Sequence, residues 1–509
     1  MNVVVDTAPL TRAQLVAVAR GGARVEISDA VLDRLRAQRV AIDALVDSGE
    51  PIYGLSTGFG ALATKSISPD RRRSLQRSLI RSHASGVGAE VEEEVVRAMM
   101  MSRLTNLCST VSGVRASTAL AYVALLNARI TPVVYEFGSL GCSGDLAPLA
   151  HVALVLMGEG EARDASGVRG PARNVLASAG LAPVELAEKE GLSLINGTDG
   201  MLGQLVLAIE DARTLLEHLD VAAAMSIQAL RGTDRVFAAE IQALRPHRGQ
   251  RASAANLWDL LANSPIVHSH LDDPTQVQDA YSLRCAPQVH GAARDTVTFA
   301  TEVADVELAS DIDNPSVLAD GSLTSNGNFH GAPVGYALDF LAIALADVAS
   351  MSERRTDRLL DVNRSYGLPP FLAHEVGVDS GLMIAQYTQA ALVSEMKRLA
   401  TPASVDSIPS SGMQEDHVSM GWHAARKLRR ALDALRDVVA IELLAGARAL
   451  ALRAPLAPSP VTAAVTEAVN LASGGPGKDR WLSPEIAAVS QLVRGGELLD
   501  TVGRFVPLR

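Results

Sequence analysis

The chain has 509 residues, of which 48% are hydrophobic but only 4% aromatic, and its formal charge is −11. That length is enough for about two to four domains and a large buried core. The acidic balance, with basic residues confined to short groups such as Arg71 to Arg73 and Lys427 to Arg430, argues against a nucleic-acid-binding surface.

Alanine and leucine dominate, a composition that suits long, closely packed helices better than sheets. The first half mixes short helical patterns with turns, and begins without a basic-then-apolar leader. Residues 24–28 and 130–137 read as short strands, and the second runs directly into a glycine-rich bend, Gly138 to Gly144. The patterns lengthen beyond Gly200. Helices are expected from Met201 to Arg231, from about Val334 to Leu360, from Asp379 to Ala400 and from about Asp416 to Leu452. In the last, Leu428, Leu432, Leu435, Val439 and Leu443 recur in steps of three and four on one face. Patterns of this length indicate a helix bundle. The run Pro246-His-Arg-Gly-Gln250 marks a boundary near residue 252, giving an N-terminal domain 1–252 and a helical domain 253–509. Ser473 to Lys478 reads as a surface loop before a short helical C-terminal region.

Cys108, Cys142 and Cys285 are odd in number and far apart, which disfavours a disulfide framework or zinc ribbon and favours the cytoplasm. The apolar stretch Gly331 to Ala346 carries Asp339 and is bordered by charges, so no uninterrupted run reaches the roughly 18–20 residues of a membrane span. His268-Ser-His270-Leu-Asp272-Asp273 has histidines only two apart and no H-E-x-x-H. A polar loop is expected there rather than a metal site.

The bend itself, Gly138-Ser-Leu-Gly-Cys142-Ser143-Gly144-Asp145-Leu-Ala-Pro148-Leu-Ala-His151, has two readings. In one it is a turn feeding a helix, capped by Ser143 or Asp145, with Pro148 in the first turn. In the other, the Gly144 nitrogen, unhindered by a Cβ, attacks the Cys142 carbonyl carbon. Ring closure and loss of two waters then leave a dehydroalanine methylene at Ser143. A phosphate loop is disfavoured, since the glycines lack both P-loop and dinucleotide spacing.

This stretch resembles the signature of the aromatic amino acid ammonia-lyases, whose electrophile is 4-methylideneimidazol-5-one (MIO). The similarity extends through Tyr53 to Gly60, Ser82 to Gly88, Asn196 to Thr198, Gln278 to Val289, Gly327 to Gly331 and Gln414 to Gly421, in the family's order. The resemblance implies a mainly α-helical long-helix bundle of the ammonia-lyase/fumarase-like type, with a smaller mixed N-terminal region carrying the MIO loop. It implies an autocatalytic group formed from Cys142, Ser143 and Gly144, with no external cofactor and no metal. Cys142 stands where most members have alanine, and is expected to be harmless.

By the same resemblance Tyr53 is the catalytic base, and Arg284 holds the substrate carboxylate, which a guanidinium fork can bind bidentately. Tyr281 and Gln278 hydrogen-bond to the ring or the substrate, Asn196 orients the substrate and the MIO carbonyl, and Phe329 packs against the MIO or the substrate ring. Ser82-His83 resembles the selectivity pair of the histidine-specific members. His83 would be the hydrogen-bonding partner of an imidazole, and Glu415 a second polar contact that accepts from the substrate's imidazole or its amine. The implied reaction is deamination of L-histidine to trans-urocanate and ammonia. Tyrosine or phenylalanine lyases, an aminomutase and a non-enzymatic helical scaffold are the alternatives. The implied assembly is a homotetramer with active sites shared between subunits.

Overall fold

In the computed structural model, residues 2–47, 57, 65, 67–270 and 277–509 are described. The chain is mainly helical, and among the described residues its strands are short and gathered before residue 172 except for one small pair, Ser316–Val317 with Leu323–Thr324. The expected strand at 24–28 is Arg24–Ile27, paired in parallel with Asn2–Val5. The expected strand at 130–137 is two pieces, Thr131–Pro132 and Tyr135–Phe137, which join different sheets. Tyr135–Phe137 pairs antiparallel with Val87–Glu90.

Asp29–Asp47 is a helix of 19 residues near the start, and the long helices from residue 199 onward are Asp199–Ala229, Ala286–Leu308, Ala332–Leu360, Met383–Leu399 and Gly421–Ala451. The last begins five residues later than its apolar pattern suggests. Met420 adopts a left-handed φ of 51°, and the Val418 amide is bonded to the Ser407 hydroxyl at 2.9 Å. Helix Ala332–Leu360 is long and apolar enough to cross a membrane by length and composition, unlike the interrupted run expected from sequence, but 61% of its most apolar window is buried within the protein. Its Asp339 carboxylate is buried and accepts the Ser404 amide at 2.7 Å.

The chain forms two compact units, each made of separate segments. One comprises Met1–Leu207, Ala300–Asp339 and Pro402–Arg426; the other comprises Ala208–Phe299, Phe340–Thr401 and Lys427–Arg509. This division differs from consecutive halves meeting at residue 252, a position that lies inside helix Arg248–Leu261. Pro246 lies just ahead of the His247 N-cap of that helix instead of in a linker between domains.

The second unit is built around a chain of buried charges. Glu442 accepts from both nitrogens of the Arg355 fork (2.5 and 2.8 Å) and from Ser226 and Ser352. Arg355 also faces His290 Nε2 at 3.4 Å, and His290 Nδ1 bonds Asp220 at 2.8 Å. Burial opposes the Asp220 charge, but Arg294 and His290 outweigh it and hold the carboxyl at about 2. Each charge is paired and hydrogen-bonded, the condition under which ions are tolerated in an interior.

Candidate active site

Helix Leu146–Leu156 is apolar on nearly every face and sinks into the first unit. Asp145 occupies its N-cap position, but its side chain makes no cap hydrogen bond. It instead accepts the Met201 amide at 2.8 Å and the Ser139 hydroxyl at 2.9 Å. Burial dominates these bonds and pushes its carboxyl up to about 7. The capping expected of Ser143 or Asp145 is therefore absent, and Asp145 anchors the preceding loop from behind.

That loop is tightly folded. Gly141, Ser143 and Gly144 have left-handed φ values of 83°, 51° and 81°, a conformation that is uncommon for a serine. Gly141 and Gly144 bridge one another, and Gly144 also bridges Gly197. A Cβ on Gly144 would fall 2.0 Å from the Gly197 oxygen, so no other residue fits. The Asp145 amide donates to that same oxygen at 2.8 Å.

The loop forms one wall of a cavity of about 640 Å³ that is lined by Cys142, Ser143, His83, Asn196, Ser410 and Glu415, among others. Helix Arg72–His83 delivers the histidine from its last turn. His83 Nδ1 faces the Leu79 carbonyl at 2.9 Å. That contact requires the proton on Nδ1 and leaves Nε2 as an acceptor. Burial lowers the His83 pKa against opposing contributions from the Leu79 carbonyl and Glu415, so the ring is neutral.

Asn196 is buried, and its amide nitrogen donates to the Asn314 carbonyl at 2.9 Å. Its own carbonyl receives Arg103, which pairs with Asp199 at 3.1 Å. Asp199 thus has a structural task. It also accepts Ser102 and Asn106, and fixes the arginine that holds the Asn196 backbone.

Glu415 is placed by a reverse turn. Ser411, Gly412 and Met413 all have positive φ, which folds Ser410 back against Glu415. Their backbones bridge, and the Ser410 hydroxyl donates to the carboxylate at 2.8 Å. Cys142 lines the same cavity, and burial followed by the nearby Glu415 charge pushes its thiol up, keeping it protonated. Sequence reasoning missed Ser410 and Asn314. The Pro409-Ser-Ser-Gly412 turn chemistry and the Asn314-Pro315 step were the available signals.

Other expected site residues are not among the described residues that line this cavity. Tyr53 lies outside the described residues. Phe329 is half-buried in the first unit but is not part of the cavity wall. Gln278, Tyr281 and Arg284 belong to the second unit. Tyr281 is 71% exposed, and the Arg284 guanidinium lies over its ring at 4.8 Å with Nε lacking a hydrogen-bond partner. Among the described residues, no group of three His, Cys, Asp or Glu side chains is placed to hold a metal. His270 turns Nδ1 to the Ile266 carbonyl at 3.0 Å, while Asp272 and Asp273 lie outside the described residues.

The family model for aromatic amino acid lyases matches residues 10–471. Histidine ammonia-lyase of Streptomyces avermitilis is 61% identical over 499 residues, with 98% of each chain covered. The enzyme of that name from Streptomyces griseus is 60% identical over 504 residues, again with 98% of each covered. Among solved structures, histidine ammonia-lyase from Trypanosoma cruzi is 39% identical with a TM-score of 0.92, covering 100% of this chain and 96% of its own. A tyrosine aminomutase from Streptomyces globisporus is 36% identical with a TM-score of 0.95, and both chains are fully covered. The glycine-locked serine loop, the cavity it walls and near-complete alignment with these enzymes lead to one assignment: the chain belongs to the aromatic amino acid lyase family.

Proposed function

We propose that this protein deaminates L-histidine to trans-urocanate and ammonia. The observation that carries the substrate choice is the pairing of His83 and Glu415 in the cavity walled by Ser143. His83 presents Nε2 as an acceptor, and the Glu415 carboxylate is a second acceptor. An imidazole N–H can satisfy either, whereas a phenyl ring would leave the half-buried His83 Nε2 unsatisfied and offer Glu415 no donor beyond the Ser410 hydroxyl it already accepts. The 61% identity to a histidine ammonia-lyase supports the same reading.

The residues at 142–144 fit the MIO group. Gly144 is excluded from carrying a side chain by Gly197, and the left-handed turn through Ser143 and Gly144 bends the backbone back on itself. Asp145, locked by Met201 and Ser139, holds the loop in that bend. When formed, the group supplies an electrophilic methylene that makes the substrate amine a better leaving group.

The side chains do the rest. His83 and Glu415 bind and orient the ring, and Asn196 offers a fixed amide at the cavity wall. Tyr53 takes the Cβ proton. Arg284 binds the substrate carboxylate, with Tyr281 and Gln278 beside it. These three belong in the site of a neighbouring subunit, which accounts for an exposed Tyr281 stacked on an arginine whose Nε has no partner. The working form is accordingly a homotetramer, and its compartment the cytoplasm, in keeping with three free cysteines.

The test is to mix purified protein with L-histidine and follow the ultraviolet band of the conjugated product, with L-tyrosine and L-phenylalanine in parallel. Fastest turnover of L-histidine supports the assignment. Faster turnover of either aromatic, or accumulation of a β-amino acid in place of urocanate, contradicts it.

A further inference from the structure

His151 sits one turn into helix Leu146–Leu156, eight residues after Ser143. It is half-buried, and burial lowers its pKa, so the ring is neutral. Its Nε2 accepts the backbone N–H of Gly86 at 3.0 Å, which places the ring proton on Nδ1. Tyr135 meets the ring edge-on, at 5.3 Å between centroids and 74° between planes, and fixes its tilt.

Gly86 lies three residues beyond His83. Between them the Ser85 amide closes a tight turn onto the His83 carbonyl at 2.8 Å. Immediately after Gly86 begins strand Val87–Glu90, which pairs with Tyr135–Phe137 just ahead of the loop that holds Ser143. Gly86 is also packed closely against that loop. A Cβ on Gly138 would lie 3.1 Å from the Gly86 Cα, and one on Gly86 would lie 3.1 Å from His151 Nε2. A displacement at Gly86 would therefore pass through one short turn to the His83 imidazole.

We propose that His151 is a positioning residue for substrate selectivity: by accepting the Gly86 N–H, it ties the segment carrying His83 to the helix that follows Ser143, and so sets the distance between the ring-binding histidine and the reacting serine. The role rests on the reading of His83 as the imidazole partner. His151 itself touches no substrate. Replacing it with an apolar side chain leaves the Gly86 donor without an acceptor, and the His83 turn loosens although the rest of the fold stays intact. The expected loss is in substrate binding more than in the chemical step.

The experiment compares H151L with H151Q, whose amide oxygen can take the place of Nε2. In H151L the KM for L-histidine should rise about tenfold, the size of one lost hydrogen bond to a part-buried donor, while kcat stays within about threefold. Backbone amides of residues 84–87 should exchange with deuterium faster, with protection elsewhere unchanged. H151Q should restore both. Wild-type KM and unchanged exchange in H151L would overturn the proposal. So would equal damage in H151L and H151Q accompanied by general loss of protection, because that marks a purely structural histidine. The exchange measurement needs no substrate, so it decides whether His151 tethers the His83 turn even if the wild-type protein fails to turn over L-histidine, a result that would count against the proposed reaction and not against the tether.

Discussion

In the proposed reaction, Ser143 and Gly144 would carry the chemistry through backbone shape. The left-handed turn is maintained because Gly144 cannot carry a Cβ without meeting the Gly197 oxygen at 2.0 Å. Gly144→Ala should therefore block ring formation and destabilise the loop together, seen as a lower melting temperature and full sequence mass. In the same reading His83 would affect binding instead. His83→Leu removes an acceptor while keeping the packing volume, and kcat/KM for L-histidine should fall about 10- to 100-fold, equivalent to roughly 1.4–3 kcal/mol. An unchanged kcat/KM would remove His83 from the site. At this scale the sequence was informative where chemistry is local. The serine loop and His83 were identifiable, and the structure puts them on one cavity with Asn196 and Glu415. Ser410 was not, because its contact with Glu415 depends on three consecutive left-handed residues that side-chain pattern alone does not announce. The tautomer of His83 likewise depends on a carbonyl four residues back, a feature of the folded helix.

The long helices owe their legibility to the 3.6-residue period of their apolar positions, and four were placed within a few residues of their observed ends. Their buried charges are less readable, since pairing partners lie far apart in sequence. Glu442 and Arg355 are fully buried in the second unit. Glu442→Leu should cost about 3–5 kcal/mol by leaving the guanidinium unpaired, measurable in urea unfolding, while Glu442→Leu combined with Arg355→Met should recover much of that loss. His218, within helix Asp199–Ala229, is buried with Nδ1 on the Thr214 carbonyl and Nε2 without a partner. Burial lowers its pKa from 6.5 to about 4. The unfolded chain therefore takes up a proton between those values that the native state refuses. Stability should fall as pH drops from about 6.5 to 4, by about 3 kcal/mol from this group. A His218→Gln variant should show a flatter pH dependence over that window. An identical slope in both proteins would assign the acid sensitivity elsewhere.

The whole molecule poses a question that the single chain does not answer within its own cavity. Ser143, His83 and Glu415 line a cavity of the first unit, whereas Arg284, Tyr281 and Gln278 belong to the second. If neighbouring subunits supply them, two inactive variants should complement one another. Ser143→Ala and Arg284→Ala proteins, unfolded and refolded together, should regain a fraction of wild-type activity through mixed sites carrying both native residues, while each alone stays inactive. Absence of any recovery in verified mixed oligomers would contradict sharing. The resemblance made these residues expected site members, but a motif carries no information about which chain's site they would serve. The order of segments in the two compact units was similarly hidden, since long helices carry the chain between units without a linker to mark the passage.

The most direct measurement is the intact mass of catalytically active protein. The account predicts a chain lighter than its sequence by two waters, with the deficit mapping to the peptide that contains Cys142, Ser143 and Gly144, and a Ser143→Ala variant that folds at full mass and is inactive. Active protein at the unmodified mass would contradict it.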